Sequence, residues 1–297
     1  MRIFLTGANG FIGAKLVPEL IGAGHQVLGL TRSDAGAHAL QAAGAEARRG
    51  DLEDLNSLRA GAAACDGVVH TAFDHDFANY VANCQKDRRA IEALGAALAG
   101  SNRPLVITST TLFGEAVPGL LADEDTFNAE HPNPRVTSEL AGRALTERGV
   151  NVSVVRLSQT HDTHKQGLVT FLIGLARRTG RSAYIGDGAN AWSAAHVADT
   201  VHVFRLALEK QVAGARYHAT AEEGVALRSI AEVIGERLGL PVVSLIADEA
   251  VAHFGWLNGF IGKDIVASSD KTQERLCWQP TGPGLLADLA NLAVDAG

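Results

Sequence analysis

Three glycines near the start of the chain have the spacing of a phosphate-binding loop. Residues 6–13 read TGANGFIG, directly after a short apolar run and before a run with helical spacing. In such a loop Gly7 permits a tight turn, Gly10 lets the backbone approach a pyrophosphate, and Gly13 lets helix and strand pack closely. The helix N-terminus offers unbonded N–H groups and partial positive charge to the phosphates. The expected loop contacts are Gly7, Asn9, Gly10, Phe11, Ile12 and Gly13.

The end of the second predicted strand indicates which dinucleotide is bound. Residues 30–33 read LTRS, whereas a site for NAD usually has an acidic residue there to bind the ribose hydroxyls. Arg32 suits the 2′-phosphate of NADP, and Ser33 can add a hydrogen bond. We therefore expect NADP rather than NAD, the alternative being that Arg32 is a solvated surface arginine.

Further cofactor contacts are expected where later strands end. Asp51 and Leu52 follow the third strand and are placed to meet the adenine, although Asp51 is equally suited to cap the next helix. Thr71, Ala72 and Phe73 follow the fourth strand. They lie at the carboxyl edge, where open α/β sheets bind ligands.

Short apolar runs alternate with helical segments through the first half of the chain. This alternation predicts parallel strands joined by crossover helices, and thus an α/β fold with a doubly wound parallel sheet. Strands are expected at 3–6, 26–30, 45–49, 67–70, 104–108 and 152–156. We assign residues 1–160 to a dinucleotide-binding domain of the Rossmann type. Residues 161–297 are assigned to a smaller substrate lobe, from which the segment 182–209 returns to the sheet.

Composition narrows the class of protein. The net charge is −7 and basic residues occur at most in pairs, so we expect no nucleic-acid partner. The three cysteines are far apart, which fits a reducing compartment. No stretch has the length of a membrane span and the first residues do not resemble a signal peptide, so we expect a cytoplasmic protein without a membrane partner.

Later segments carry a family resemblance. The chain resembles the extended short-chain dehydrogenase/reductases, also called the NAD-dependent epimerase/dehydratase family, in its glycine loop and in GDL at 50–52. Softer matches are TSTTLFG at 108–114, VRL at 155–157, HVAD at 196–199 and LCWQP at 276–280. The resemblance implies that Thr108 and Leu157 contact the cofactor. It also implies that Ser109 polarises a substrate carbonyl.

The chain departs from this family at the proton donor. Members that perform redox chemistry use Tyr-x-x-x-Lys about 25 residues after the serine, but here Arg135 replaces the tyrosine and Glu139 the lysine. Arginine is no general acid near neutral pH, because its pKa exceeds about 12. Either the two side chains pair with each other at i and i+4, or Arg135 clamps an anion or a carbonyl oxygen.

Other side chains are candidates for the proton-donor role that the tyrosine has in the family. Thr110 lies beside Ser109 near the expected nicotinamide, and His161 lies just past a strand end. We expect His70 to be a bonded core histidine and Tyr184 to pack. The sequence shows no usable metal-ligand spacing.

These residues predict an NADP(H)-dependent oxidoreductase that reduces a carbonyl group, or an imine or activated alkene, of a small organic substrate. One alternative is a redox sensor that binds NADP(H) without turnover. The other is a sugar-nucleotide epimerase or dehydratase. The resemblance also implies a homodimer through helices 79–99 and 134–148, where alanines would allow close packing. These are Ala90, Ala93, Ala97, Ala141 and Ala144.

Overall fold

The computed structural model describes residues 1–293. Its strands are β1 (Arg2–Thr6), β2 (Gln26–Thr31), β3 (Glu46–Arg49), β4 (Gly67–His70), β5 (Leu105–Thr110), β6 (Val152–Leu157), β7 (Gln159–His161), β8 (Ser182–Ile185), β9 (Ala191–His196), β10 (Arg216–Ala219), β11 (Glu222–Ala226) and β12 (Val242–Leu245). Its α-helices are α1 (Gly13–Gly22), α2 (Asp34–Ala42), α3 (Leu55–Ala63), α4 (Tyr80–Leu98), α5 (Val136–Glu147), α6 (Val169–Thr179), α7 (Val197–Lys210), α8 (Leu227–Leu238), α9 (Ala247–Phe254), α10 (Asn258–Ile261), α11 (Asp270–Leu276) and α12 (Leu285–Ala290).

A seven-stranded sheet forms the centre of the molecule, in the order β10-β6-β5-β4-β1-β2-β3. Every neighbouring pair in it is parallel. Helices α1 and α7 pack on one face, and α3, α4 and α5 on the other. The predicted doubly wound Rossmann-type sheet is therefore confirmed. Its central strands are buried on both faces because helices cover both sides, which is why they read as apolar runs.

The second half of the chain adds smaller sheets. Strands β11, β9 and β7 form one sheet, and β12 pairs with β8 in another. A separate hydrophobic cluster, built on α6, α8, α9 and α12, packs here. Within the segment 182–209, α7 lies against α1, whereas β8 pairs outside the central sheet. Strand β10, which the sequence pattern did not predict, also joins that sheet.

Helices α4 and α5 lie side by side on one face of the sheet. Three of the alanines expected at a dimer contact, Ala90, Ala93 and Ala141, are buried within the chain itself. They pack inward within the chain, and a homodimer through these two helices stays a prediction. None of the helices within residues 1–293 combines the length and apolar character that crossing a bilayer requires.

Candidate functional site

The glycine loop leaves no room for side chains at its turns. Gly7 has a φ of +70°, and a Cβ there would lie 2.7 Å from the backbone nitrogen of Ala72. A Cβ at Gly13 would lie 2.0 Å from the carbonyl oxygen of Gly7, which itself accepts a 2.8 Å hydrogen bond from the N–H of Gly10. The packing roles that the sequence assigned to Gly7 and Gly13 are thus visible in the backbone.

The outer side of this loop is open. A Cβ on Gly10 would meet only the Gly7 oxygen, at 3.1 Å. The N–H groups of Phe11 and Ile12 have no acceptor within residues 1–293, and no side chain caps α1. An open cradle of backbone donors at a helix N-terminus fits a pyrophosphate. Asn9 supports the loop from behind, since its side-chain amide donates to the Gly36 carbonyl at 3.0 Å.

The end of β2 presents an exposed arginine beside a second helix N-terminus. Arg32 is exposed and forms no ion pair within the described residues. Ser33 caps α2 by accepting a 3.0 Å hydrogen bond from the N–H of Gly36. Its hydroxyl keeps a proton to donate. Arg32, Ser33 and the first turn of α2 could therefore hold a phosphate on a ribose.

Asp51 does not cap a helix. Its Oδ1 accepts hydrogen bonds from the N–H groups of Glu53 at 2.7 Å and Asp54 at 3.1 Å. Asp54 is the cap of α3, accepting from the N–H of Ser57 at 2.9 Å. The alternative that Asp51 caps the next helix is therefore wrong. The cap lies three residues later, because the chain makes one more turn before α3 begins. Leu52 is half-buried against the core beneath α3 and α4.

Hydroxyl groups fasten the strand ends next to the loop. The Thr71 hydroxyl donates to the Thr6 carbonyl at 2.8 Å, and the Thr108 hydroxyl donates to the His70 carbonyl at 2.7 Å. Ala72 contacts the glycine loop through its backbone. Thr71, Ala72, Phe73 and Thr108 are therefore brought to the carboxyl edge of the central sheet, as predicted from the ends of their strands.

Arg135 lies at this edge in a buried ion pair. Its Nη1 is 2.6 Å from Oδ2 of Asp87 and 3.2 Å from the Ser138 hydroxyl. Its Nη2 donates to the Thr108 carbonyl at 3.4 Å, next to Ser109. The guanidinium stacks 3.8 Å from the centre of the Phe73 ring. The Nε–H has no acceptor among residues 1–293, so the group keeps donor capacity.

A chain of hydrogen bonds continues from Asp87 into the core. Asp87 Oδ1 is 3.0 Å from His70 Nε2, and His70 Nδ1 is 2.7 Å from the Thr6 hydroxyl. Burial opposes ionisation of Asp87, but Arg135, His70 and Ser138 outweigh it and hold the pKa of Asp87 below its usual range. The interpretation of His70 as a bonded core histidine is confirmed.

Glu139 faces away from Arg135, so the proposed pairing of these two residues is wrong. Its carboxylate accepts hydrogen bonds from Arg156 at 2.8 and 2.9 Å and from Arg216 Nε at 3.1 Å. Arg135 lies one residue before α5 begins and turns instead toward α4. The i,i+4 spacing predicts neighbours on a helix surface, but here buried tertiary partners compete successfully for both charges.

Ser109 and Thr110 end strand β5. Ser109 is 4% exposed, and its hydroxyl has no hydrogen-bond partner within residues 1–293. The Thr110 hydroxyl accepts from the N–H of Leu112 at 3.4 Å, capping the short 3-10 helix that follows. Leu157, opposite Thr110 in the sheet, is half-buried. An unbonded buried hydroxyl is a candidate donor to a bound oxygen.

His161 lies in the small three-stranded sheet and is fully buried. Its Nδ1 is 2.6 Å from Asp288 Oδ2, and its Nε2 has no partner among residues 1–293. Burial lowers the pKa of His161 below its usual value, although Asp288 acts in the opposite direction. Since one ring nitrogen is engaged by α12, a proton-donor role for this histidine stays a prediction.

Two important site residues were missed by sequence reasoning, Asp87 and Ser138. Asp87 lies in α4 on the same face as Cys84, Ile91 and Leu94, all of which are buried. A carboxylate on the apolar face of a helix requires a buried partner. The carboxylate of Asp87 on this buried helix face was therefore the signal that a basic partner lies elsewhere in the chain. Arg135 is that partner.

Comparison with known proteins places this site in context. A profile of the NAD dependent epimerase/dehydratase family matches residues 3–220. An uncharacterized protein of Schizosaccharomyces pombe is 47% identical over 292 residues, covering 98% of this chain and 99% of that protein. The 4-hydroxy-2-methyl-3-oxo-4-farnesyl-3,4-dihydroquinoline-1-oxide ketoreductase of Stigmatella aurantiaca is 29% identical over 276 residues, covering 86% of this chain and 80% of that enzyme.

Solved structures agree on the fold. The UDP-glucose 4-epimerase of Thermus thermophilus, in complex with NAD, superposes with a TM-score of 0.75 at 20% sequence identity. The superposition covers 98% of this chain and 97% of that one.

Proposed function

The chain belongs to the NAD-dependent epimerase/dehydratase family, and from that premise we propose that it is an NADP(H)-dependent oxidoreductase that reduces the carbonyl group of a small organic molecule. One observation carries this proposal. The Arg135 guanidinium contacts the backbone of Thr108, beside the unbonded Ser109 hydroxyl, at the sheet edge that also holds the glycine loop. Two side chains that could donate hydrogen bonds to a substrate oxygen thus lie at the sheet edge that also holds a cradle for a dinucleotide.

The residues of the loop fit the cofactor that we propose. Gly7, Gly10 and Gly13 keep the pyrophosphate cradle clear, and Phe11 and Ile12 supply N–H donors. Arg32 and Ser33 would take the 2′-phosphate that distinguishes NADP from NAD. The bound nicotinamide would supply the hydride.

The protein's own part in the reaction is to hold oxygen and stabilise charge. Ser109 would donate a hydrogen bond to the substrate carbonyl and so orient it. As the carbonyl carbon gains a hydride, the electron pair of the broken π bond moves to oxygen, where Arg135 would stabilise the negative charge. Arg135 does not release a proton near neutral pH, so the proton that completes the alcohol would come from water or a neighbouring hydroxyl.

The test is NADPH oxidation with a panel of ketones, aldehydes, imines and enones. We expect turnover of at least one carbonyl compound, a fall of about 100-fold or more in kcat for Ser109→Ala, and a comparable fall for Arg135→Gln. Arg177→Ala, an exposed arginine in α6, controls for the loss of one positive charge. Tight NADPH binding without turnover of any panel member would contradict the proposal.

A second candidate is binding of NADP(H) without turnover, as in a redox sensor. One observation favours it: Arg135 already has an anionic partner in Asp87, and the Tyr-Lys pair is replaced. A partner protein retained only by the NADPH-loaded chain, with no turnover, would support this alternative.

A further inference from the structure

A row of aromatic side chains leads from Arg135 to the surface. We call Phe73, His75, Phe77, Phe171 and Trp256 the aromatic strip. Along it, ring centres lie 5.3 Å apart from Phe73 to His75, 6.2 Å from His75 to Phe77, and 4.9 Å from Phe77 to Trp256. Phe171 meets Phe77 at 5.7 Å and Trp256 at 5.2 Å. The strip is therefore continuous.

The inner end of the strip belongs to the site already described. The Arg135 guanidinium stacks on Phe73, 3.8 Å from the centre of its ring. A molecule lying along the strip would thus have its inner end beside the donors of Arg135. Its outer end would lie at Trp256, so the strip can position an elongated ligand in one direction.

The strip is assembled from both halves of the molecule. Phe73, His75 and Phe77 lie in the connection after β4, whereas Phe171 belongs to α6 and Trp256 follows α9. Contacts between rings therefore join the connection after β4 to the small lobe. Ligand sites prefer such positions, where two units meet.

The outer rings of the aromatic strip are exposed to solvent, unlike the large aromatic side chains of the core. Trp256 is 46% exposed and Phe171 is 40% exposed, while Trp192 and Trp278 are at most 1% exposed. Trp192 and Phe254 belong to the core. Large aromatic faces left in water beside a polar anchor are typical of a binding surface.

We propose that the aromatic strip binds a planar, apolar group of the substrate, so that the substrate class is aryl or otherwise conjugated carbonyl compounds. This inference rests on the proposed function, because the carbonyl oxygen would lie at Ser109 and Arg135. Phe77 and Trp256 stack face to face on each other, so a flat ring would contact their outer faces and edges. A saturated ring of equal size would offer those faces only apolar area.

The experiment compares 4-acetylbiphenyl with 4-cyclohexylcyclohexyl methyl ketone, two elongated ketones of similar size that differ in planarity. Calorimetric titration into the NADP⁺-loaded protein gives affinity without turnover. We expect 4-acetylbiphenyl to bind about three- to tenfold more tightly. Trp256→Leu should remove that preference and Trp256→Phe should retain most of it. Val251→Ala, another exposed apolar position in the lobe, is the control that should keep the preference.

The outcomes separate this inference from the proposed function. Preferential binding of 4-acetylbiphenyl that depends on Trp256, without any NADPH oxidation, would support ligand binding by the aromatic strip and contradict the proposed reductase activity. Equal binding of the two ketones, binding of neither, or indifference to Trp256→Leu would overturn the inference. A mass in solution that falls from dimer to monomer in Trp256→Leu would also overturn it, by assigning the strip to a contact between copies.

Discussion

At the scale of single residues, Arg135 depends on Asp87. Arg135 is 9% exposed, and a guanidinium buried to this extent would be costly without an anion. Asp87 supplies that anion, with Oδ2 2.6 Å from Arg135 Nη1. Ser138 and His70 bind the remaining lone pairs of that carboxylate, so the charges are both paired and hydrogen-bonded. Asp87 is thus a positioning residue that fixes the orientation of Arg135 over Phe73.

The first prediction removes that carboxylate charge. Asp87→Asn leaves Arg135 buried without its anion, so the free energy of unfolding should fall by about 3–5 kcal/mol. Urea unfolding measures the loss. Removing both charges in Asp87→Asn with Arg135→Gln should recover much of the stability while activity stays low. A loss below about 1 kcal/mol in the single variant would show that the pair does not hold the site.

The second prediction concerns His218, which is buried beside another arginine. Its Nδ1–H donates to the Ser268 carbonyl at 2.8 Å, and its Nε2 accepts from Arg156 at 3.2 Å. Burial, with a further contribution from Arg156, lowers the pKa of His218 to about 3. Unfolding restores a pKa of about 6.5, so the unfolded chain binds a proton that the folded chain does not.

Stability from this histidine is therefore complete above about pH 6.5 and is lost as the pH falls toward 3, at up to about 1.4 kcal/mol per pH unit. Urea unfolding between about pH 7 and pH 5 should show a smaller decline in His218→Gln than in the natural chain. His38→Gln, at an exposed position, should leave the decline unchanged. Equal declines in all three proteins would refute the assignment.

At the scale of elements, a substitution at the start of helix α1 tests whether the glycine loop is a pyrophosphate cradle. Gly13→Ala would place a methyl group 2.0 Å from the Gly7 oxygen, so loop and helix must separate. We expect NADPH affinity to fall by at least about tenfold, because the pyrophosphate cradle no longer closes. Gly22→Ala, in the same helix, meets nothing within 4 Å. It should leave the affinity intact and raise stability by up to about 1 kcal/mol. Fluorescence titration with NADPH compares the two variants. Equal NADPH affinities would contradict the proposal that the glycine loop holds the pyrophosphate.

The elements also show what a sequence pattern reveals and what it cannot. Strands β1, β2, β4, β5 and β6 were predictable because burial on both faces demands apolar runs. Strand β3 lies at the edge of the sheet and reads EARR, so its prediction rested on its place in the alternation of strands and helices. Strands β7 and β10 were missed: they are short, and their sequences QTH and RYHA contain polar residues bonded to distant partners. His218 in β10 is an example, since it binds Ser268 and Arg156.

In the candidate site, too, the sequence predicts only the features that neighbouring residues determine. The glycine loop is local, and its turn follows from residues 6–13 alone. The pairs Arg135–Asp87 and Glu139–Arg156 join residues that are far apart in the chain. Local spacing favoured the pairing of Arg135 with Glu139, and only the packing of α5 against α4 and β6 decided otherwise.

At the scale of the whole molecule, the last helix is held to the lobe by a buried contact. Asp288 in α12 binds His161 at 2.6 Å and lies 3.9 Å from His196 Nε2. His161 belongs to β7, which follows directly after β6 of the central sheet, and His196 ends β9 just before α7. The contact therefore links α12 to two of the segments that connect the small lobe with the central sheet.

The final prediction removes this link. Asp288→Ala leaves both ring nitrogens of a fully buried His161 without partners, which should cost about 1–3 kcal/mol of unfolding free energy. Glu236→Ala, an exposed carboxylate in the adjacent helix α8, removes the same charge and should cost at most about 0.5 kcal/mol. Hydrogen exchange should show faster exchange in α12 and β7 of Asp288→Ala, while β1 and α1 keep their protection. If both variants lose equal stability, α12 is held by apolar packing alone and the Asp288–His161 bond adds nothing to it.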